Sequence, residues 1–170
     1  MFSKTGFFGP VGQNLPSVYQ YYQQESGGSF DFTGQVYGWV TAKNNAAYYG
    51  ENADEGGDKR AGELVIEAIN QAVNSQQLTL SDFDQTDLFD LDNDGIINEP
   101  DGIVDHILIF HSGIGEEVGG GSLLEDAIWS HRYIVNDNNL PVKIAGQNTS
   151  IFGYTIQPID ASIGVVAHEF

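Results

Sequence analysis

Cysteine is absent from all 170 residues, which excludes a disulfide framework and any thiolate chemistry and leaves the cellular compartment open. Basic residues are nearly as scarce: 6 Lys and Arg stand against 24 Asp and Glu, a formal net charge of -18. Between Arg60 and Arg132 there is none at all. A field of that sign repels phosphate backbones and anionic headgroups, so nucleic acid and membrane surfaces are poor partners. No run approaches the ~20 apolar residues of a membrane span. The opening MFSKTGFFGPVGQ also lacks the apolar stretch of a signal peptide, so the targeting segment of a secreted parent is expected upstream.

What is present suits a folded domain. An apolar fraction of 41% with 12% aromatics is that of a globular protein, and a chain of this length buries roughly 70% of its unfolded surface. The acidic excess must be offset for such a chain to stay compact. Bound metal cations would do this, and so would a solvated acidic surface in a saline or extracellular medium.

Hydrophobic periodicity and turn residues predict the elements. SVYQYYQQESGG reads as a short helix opened by Ser17, with Val18, Tyr21 and Tyr22 on one face and Gly27 ending it. SFDFTGQ and VYGWVTA read as β-rich runs. From Asp58 to about Asn74, Ala61, Leu64, Val65, Ala68, Ile69, Ala72 and Val73 recur at steps of three and four, a helix with Asp58 as its N-cap. GIVDHILIFHSG reads as a strand, apolar enough to be central in its sheet. DAIWSHRYIV and TSIFGYTIQP read as two more. Asp160 or Ser162 then caps a last helix carrying Val165, Val166, His168 and Glu169. The layout is α+β.

The sharpest local signal is DLDNDGIINEPD, residues 90–101. Calcium takes six to eight hard oxygens, and a tightly wound loop brings alternate side chains to one point. Set against the twelve-residue EF-hand loop, Asp90, Asp92 and Asp94 fall on positions 1, 3 and 5, and Gly95 on the sharp turn at 6. Ile96 offers its carbonyl at position 7, Asn98 stands at 9 and Asp101 at 12, where a longer Glu is usual. Ile97 is expected to plug the loop into the core. Asp105 either adds an oxygen or simply leads the next strand.

The four histidines form no spacing typical of zinc. His106 and His111 lie five apart on one predicted strand, facing opposite sides, and His131 lies on another; each reads more naturally as a structural histidine. His168 and Glu169 close the chain in GVVAHEF, and as a dipeptide they decide little.

The order of several strings decides more. SVYQYYQQESGGSFDFTGQVYGWV, AAYYGEN, DLDNDGIINEPDGIVDHILIFHSGIGEEVGGG, EDAIWSHR and GVVAHEF together resemble the immune inhibitor A family of secreted bacterial zinc metallopeptidases. The resemblance spans nearly the whole chain, and NEPDGIVDH, HSGIGEE and DAIWSHR carry most of it.

The resemblance implies a zincin-like α+β domain: a twisted mixed sheet backed by the long helix, with an active-site helix beneath an edge strand. In that family the helix reads H-E-x-x-H-x-x-G. His168 would then be the first zinc ligand, and Glu169 the general base acting on a metal-bound water. A second histidine would belong at position 172, one helical turn on.

The chain is therefore expected to be a single partial peptidase domain, residues 1–170, lacking the family's first core strand and the end of the active-site helix. It would be inactive as it stands, because one histidine cannot replace three protein ligands. The complete protein would bind Zn²⁺ and Ca²⁺ and take protein or peptide substrates outside the cell. The alternative is a non-catalytic extracellular calcium-binding module of an adhesin or scaffold with a protease-like fold.

Overall fold

A computed structural model describes residues 14–54, 56–87, 90, 93–136 and 138–170, with a further backbone pair at 7–8; the side chains of 14–15 lie outside the description. In chain order the elements are β1 (Phe7–Phe8), β2 (Asn14–Leu15), α1 (Val18–Glu25), α2 (Ala46–Gly50), α3 (Ala61–Gln76), β3 (Ile107–His111), β4 (His131–Ile134), β5 (Val142–Lys143), β6 (Ser150–Ile151), β7 (Gly153–Pro158) and α4 (Ile163–Glu169). Helices and a mixed sheet in one chain make the architecture α+β. Two compact units are distinguished: residues 1–36 with 162–168, and residues 37–161 with 169–170. Among the described residues no helix is long and apolar enough to cross a membrane.

In the first unit, Ser17 opens α1 through a reciprocal capping box. Its Oγ accepts the Gln20 amide at 3.1 Å, and the Gln20 side chain accepts the Ser17 amide at 2.9 Å. Gly27 follows the helix with φ +62°, a conformation that suits glycine at a helix end. The aromatic residues of this unit pack on one another: Tyr22 stacks on Phe32 at 5.4 Å and meets Phe30 edge-on at 5.5 Å.

The second unit is built around α3. Ala61, Leu64, Val65, Ile69 and Ala72 are buried in the core, with Val73 partly so, confirming the apolar stripe. Full burial of a Val, Leu or Ile stabilises by about 1.5–3 kcal/mol per side chain, so the stripe holds the helix more firmly than its intrinsic propensity does. The stripe shares its core with Ile107, Tyr154 and Ile156 of the sheet. That sheet has the order β3–β7–β4, with β3 parallel and β4 antiparallel to β7.

The structure departs from the expected pattern in three places. SFDFTGQ and VYGWVTA form no strand; residues 29–42 run without a ladder. In the second stretch the backbone hydrogen bonds go to glutamine side chains on α3. Gln76 accepts the Gly38 amide at 2.6 Å and donates to the Gly38 carbonyl at 3.1 Å, and Gln71 donates to the Thr41 carbonyl at 2.9 Å. The β-propensity of aromatic and β-branched residues loses to partners that satisfy the same groups. Second, β3 is an edge of the three-stranded sheet and β7 its centre. All of β7 after Gly153 is buried, whereas β3 is buried only at Ile107. Third, α3 begins at Ala61 with Arg60 at the cap position, and Asp58 does not cap it. The Asp58 carboxylate turns instead to the amide of Trp129 at 3.1 Å.

Candidate active-site helix and calcium loop

Ser162 starts α4: its Oγ accepts the Val165 amide at 3.3 Å, and its carbonyl accepts the Val166 amide at 3.1 Å. Val166 is buried and His168 exposed, so this short helix has an inner and an outer side. The Tyr22 hydroxyl donates to the Ala167 carbonyl at 3.4 Å, tying α4 to the aromatic cluster of its own unit. His168 and Glu169 are the last two helical residues, an imidazole followed at once by a carboxylate.

The other histidines are held structurally. His131 is bonded at both nitrogens, Nδ1 to the Trp129 carbonyl at 2.8 Å and Nε2 to the Tyr154 hydroxyl at 2.9 Å. His106 Nε2 lies 3.3 Å from Thr155 Oγ1, and its ring meets Phe170 edge-on at 4.8 Å. His111 stands opposite Pro158 in the β3–β7 ladder. Neither of its ring nitrogens has a hydrogen-bond partner among the described residues. Burial pushes the pKa of all three below the usual histidine range, that of His106 to about 4 with help from the Arg132 charge. Among the described residues, no three His, Asp or Glu side chains meet at metal-holding distance.

The acidic loop is wound tightly. Asp90, Asn93 and Gly95 have φ of +47°, +62° and +80°. Asp90 Oδ1 accepts the Gly95 amide at 3.1 Å, so the first carboxylate turns back across the loop to the glycine at position 6. Asp94 Oδ1 accepts the Ile96 amide at 2.7 Å, and Asp101 Oδ1 accepts the Ile103 amide at 2.7 Å. Asp92 lies outside the described residues, and Asn98 is exposed. Ile97 is not a plug: its side chain is 51% exposed, and its carbonyl instead accepts the Asp87 amide at 3.1 Å. Asp105 turns away from the loop and caps the 85–86 turn, accepting the Thr86 amide at 3.0 Å and its hydroxyl at 2.9 Å.

Sequence reasoning missed the residue beneath this loop. Asp84 is only 4% exposed. Its Oδ1 accepts the amides of Asp101 and Gly102 at 3.0 and 3.3 Å, and its Oδ2 accepts the Thr149 hydroxyl at 3.2 Å. Burial, followed by the charges of Asp84 and Asp87, pushes the Asp101 carboxyl above its usual range. An acidic run gives no sign of which of its members is buried. The other missed group sits beside Trp129, where Glu117 accepts the Ser130 hydroxyl at 2.7 Å and its amide at 3.2 Å.

The family model for the catalytic domain of immune inhibitor A peptidase M6 matches residues 1–170. The chain belongs to the immune inhibitor A peptidase M6 family. Pre-pro-metalloprotease PrtV of Vibrio cholerae serotype O1 is 46% identical over 179 residues, covering 100% of this chain and 19% of that protein. Immune inhibitor A of Bacillus thuringiensis subsp. alesti is 42% identical over 172 residues, covering 94% of this chain and 25% of that protein. The chain thus spans about a fifth to a quarter of the length of the curated relatives it matches. Membership of the M6 family accords with the α+β architecture.

Proposed function

We propose that this chain is part of the catalytic domain of a secreted zinc-dependent endopeptidase of zincin-like fold, which hydrolyses peptide bonds in proteins. The observation that carries the reading is His168 followed by Glu169 on a capped helix in a chain whose whole length matches the M6 catalytic domain. His168 would supply one metal ligand. Bound zinc polarises a carbonyl and brings the pKa of a water to about 7. The described residues do not complete such a site, since a catalytic zinc takes three protein ligands and no three candidates converge here.

Glu169, next to His168 at the end of α4, is the carboxylate that accepts the proton of the attacking water. The β4 strand, an edge of its sheet among the described residues, is placed to pair with an extended peptide by strand addition. Residues 90–101 would hold calcium through Asp90, Asp92, Asp94, the Ile96 carbonyl, Asn98 and Asp101, a stabilising role suited to an extracellular medium.

The test uses the full-length protein. Casein digestion should stop with a zinc chelator, and Glu169→Gln should cost about 10²–10⁴-fold in rate while leaving the fold intact. Full activity of Glu169→Gln would remove the assigned base.

A further inference from the structure

Among the described residues β4 is an edge of its sheet, yet the backbone that leads into it is held at residue after residue. Gly50 of α2 lies against residues 126–127, where a Cβ would fall 2.6 Å from the Asp126 oxygen. The Ile128 carbonyl accepts the Glu116 amide at 3.1 Å. The Trp129 amide donates to Asp58 Oδ2 at 3.1 Å, and the Trp129 carbonyl accepts from His131 Nδ1 at 2.8 Å. The Ser130 amide and hydroxyl both donate to Glu117, at 3.2 and 2.7 Å. Along the same stretch the side chains of Trp129, Arg132 and Tyr133 are exposed.

The groups that hold this backbone are costly ones. The Asp58 side chain is 0% exposed, and its Oδ1 has no partner among the described residues. Burying a carboxylate with one oxygen unanswered costs more than a single amide bond returns. Glu117 folds back over Gly115, where a Cβ would fall 2.4 Å from both carboxylate oxygens. Exposed segments with few buried contacts are ordinarily the loosest part of a fold. Here α2, Asp58 and the 115–117 turn impose one shape on the entry to β4. Such a shape suits a surface that must be ready before its partner arrives.

We infer that Asp58 and Glu117 are positioning residues for the substrate, presetting residues 128–130 so that β4 meets an extended peptide with a fixed edge. Both act through the backbone they hold. The inference rests on the reading of β4 as the strand that pairs with substrate. A preset edge pairs without first being ordered, so its benefit falls on the binding of peptides long enough to run along it.

The experiment uses the full-length protein with a blocked dipeptide and with a peptide long enough to pair along all of β4. Asp58→Ala should lose about tenfold more kcat/KM on the long peptide than on the dipeptide, the difference appearing in KM. Asp58→Asn keeps an acceptor for the Trp129 amide and should recover most of that loss. Gly115→Ala, which displaces the Glu117 carboxylate without removing it, should repeat the loss. Equal losses on both substrates, or no rescue by Asp58→Asn, would mean that the clamp only holds the fold and would overturn the inference. Hydrogen exchange in Glu169→Gln needs no change to the clamp, so it reads the same question if Asp58→Ala does not fold. The Trp129 and Ser130 amides should exchange slowly with or without the long peptide. The β4 amides that face away from β7 should exchange about tenfold more slowly with it. Fast exchange at Trp129 and Ser130 before the peptide is added overturns the inference alone. A β4 edge that the peptide leaves unprotected overturns the strand-pairing reading and the inference with it.

Discussion

The Tyr49 hydroxyl donates to the buried Glu67 Oε2 of α3 at 2.8 Å. Glu67 is buried, and its Oε1 also accepts the Lys43 amide at 2.6 Å. A carboxylate in that position joins α2, the 37–43 segment and α3 through one side chain. Glu67→Ala would leave the buried Tyr49 hydroxyl without its acceptor and take the Glu67 acceptor from the Lys43 amide. The expected loss is about 2–4 kcal/mol in urea unfolding, with Glu67→Gln recovering part of it because it keeps an acceptor. Equal stability of Glu67→Ala and the parent would contradict the role.

Gly62 lies in the first turn of α3, where alanine is intrinsically better by about 0.5–1 kcal/mol. A methyl group there would press into the Val135 carbonyl, whose carbon would lie 2.9 Å away. Packing should outweigh propensity. Gly62→Ala is expected to lower the melting temperature, whereas an alanine at Gly34, where a Cβ meets nothing, should not.

His106 is buried neutral, its pKa lowered to about 4 from an unfolded value near 6.5. Between those values the unfolded chain binds a proton that the folded chain does not, so stability falls as pH drops through that window and is fully present above it. The contribution is at most about 3 kcal/mol. Urea midpoints measured from pH 7 to pH 4 should fall less steeply in His106→Gln than in the parent. Parallel curves would show that another group governs the acid side.

Millimolar calcium should raise the melting temperature, and Asp94→Ala should remove the part owed to the 90–101 loop. At a hundredfold excess over Kd, a single site adds about 2.7 kcal/mol. Magnesium should do less, because it gives up its waters reluctantly. A rise of the same size in Asp94→Ala would show that this loop takes no part.

Local interactions were readable in the sequence because each is settled within a few residues. The α3 stripe repeats every three or four positions, Ser17 and Ser162 cap helices whose amides lie three residues on, and Gly95 supplies the left-handed turn that an alternating acidic loop needs. The family strings pointed to M6 membership in the same way, by order along the chain, and the family model matches residues 1–170.

What the tertiary structure decided turns on partners far away in sequence. Residues 36–42 look like a strand, but Gln71 and Gln76, some 30 to 38 residues on, supply their hydrogen bonds. Apolar content alone placed β3 at the centre, whereas the β7 ladder makes it an edge. Asp58 has the residue type of a helix cap, yet the Trp129 amide, 71 residues away, draws its carboxylate inward. A carboxylate's cost depends on what buries it and what charge stands opposite, and only the folded chain sets either.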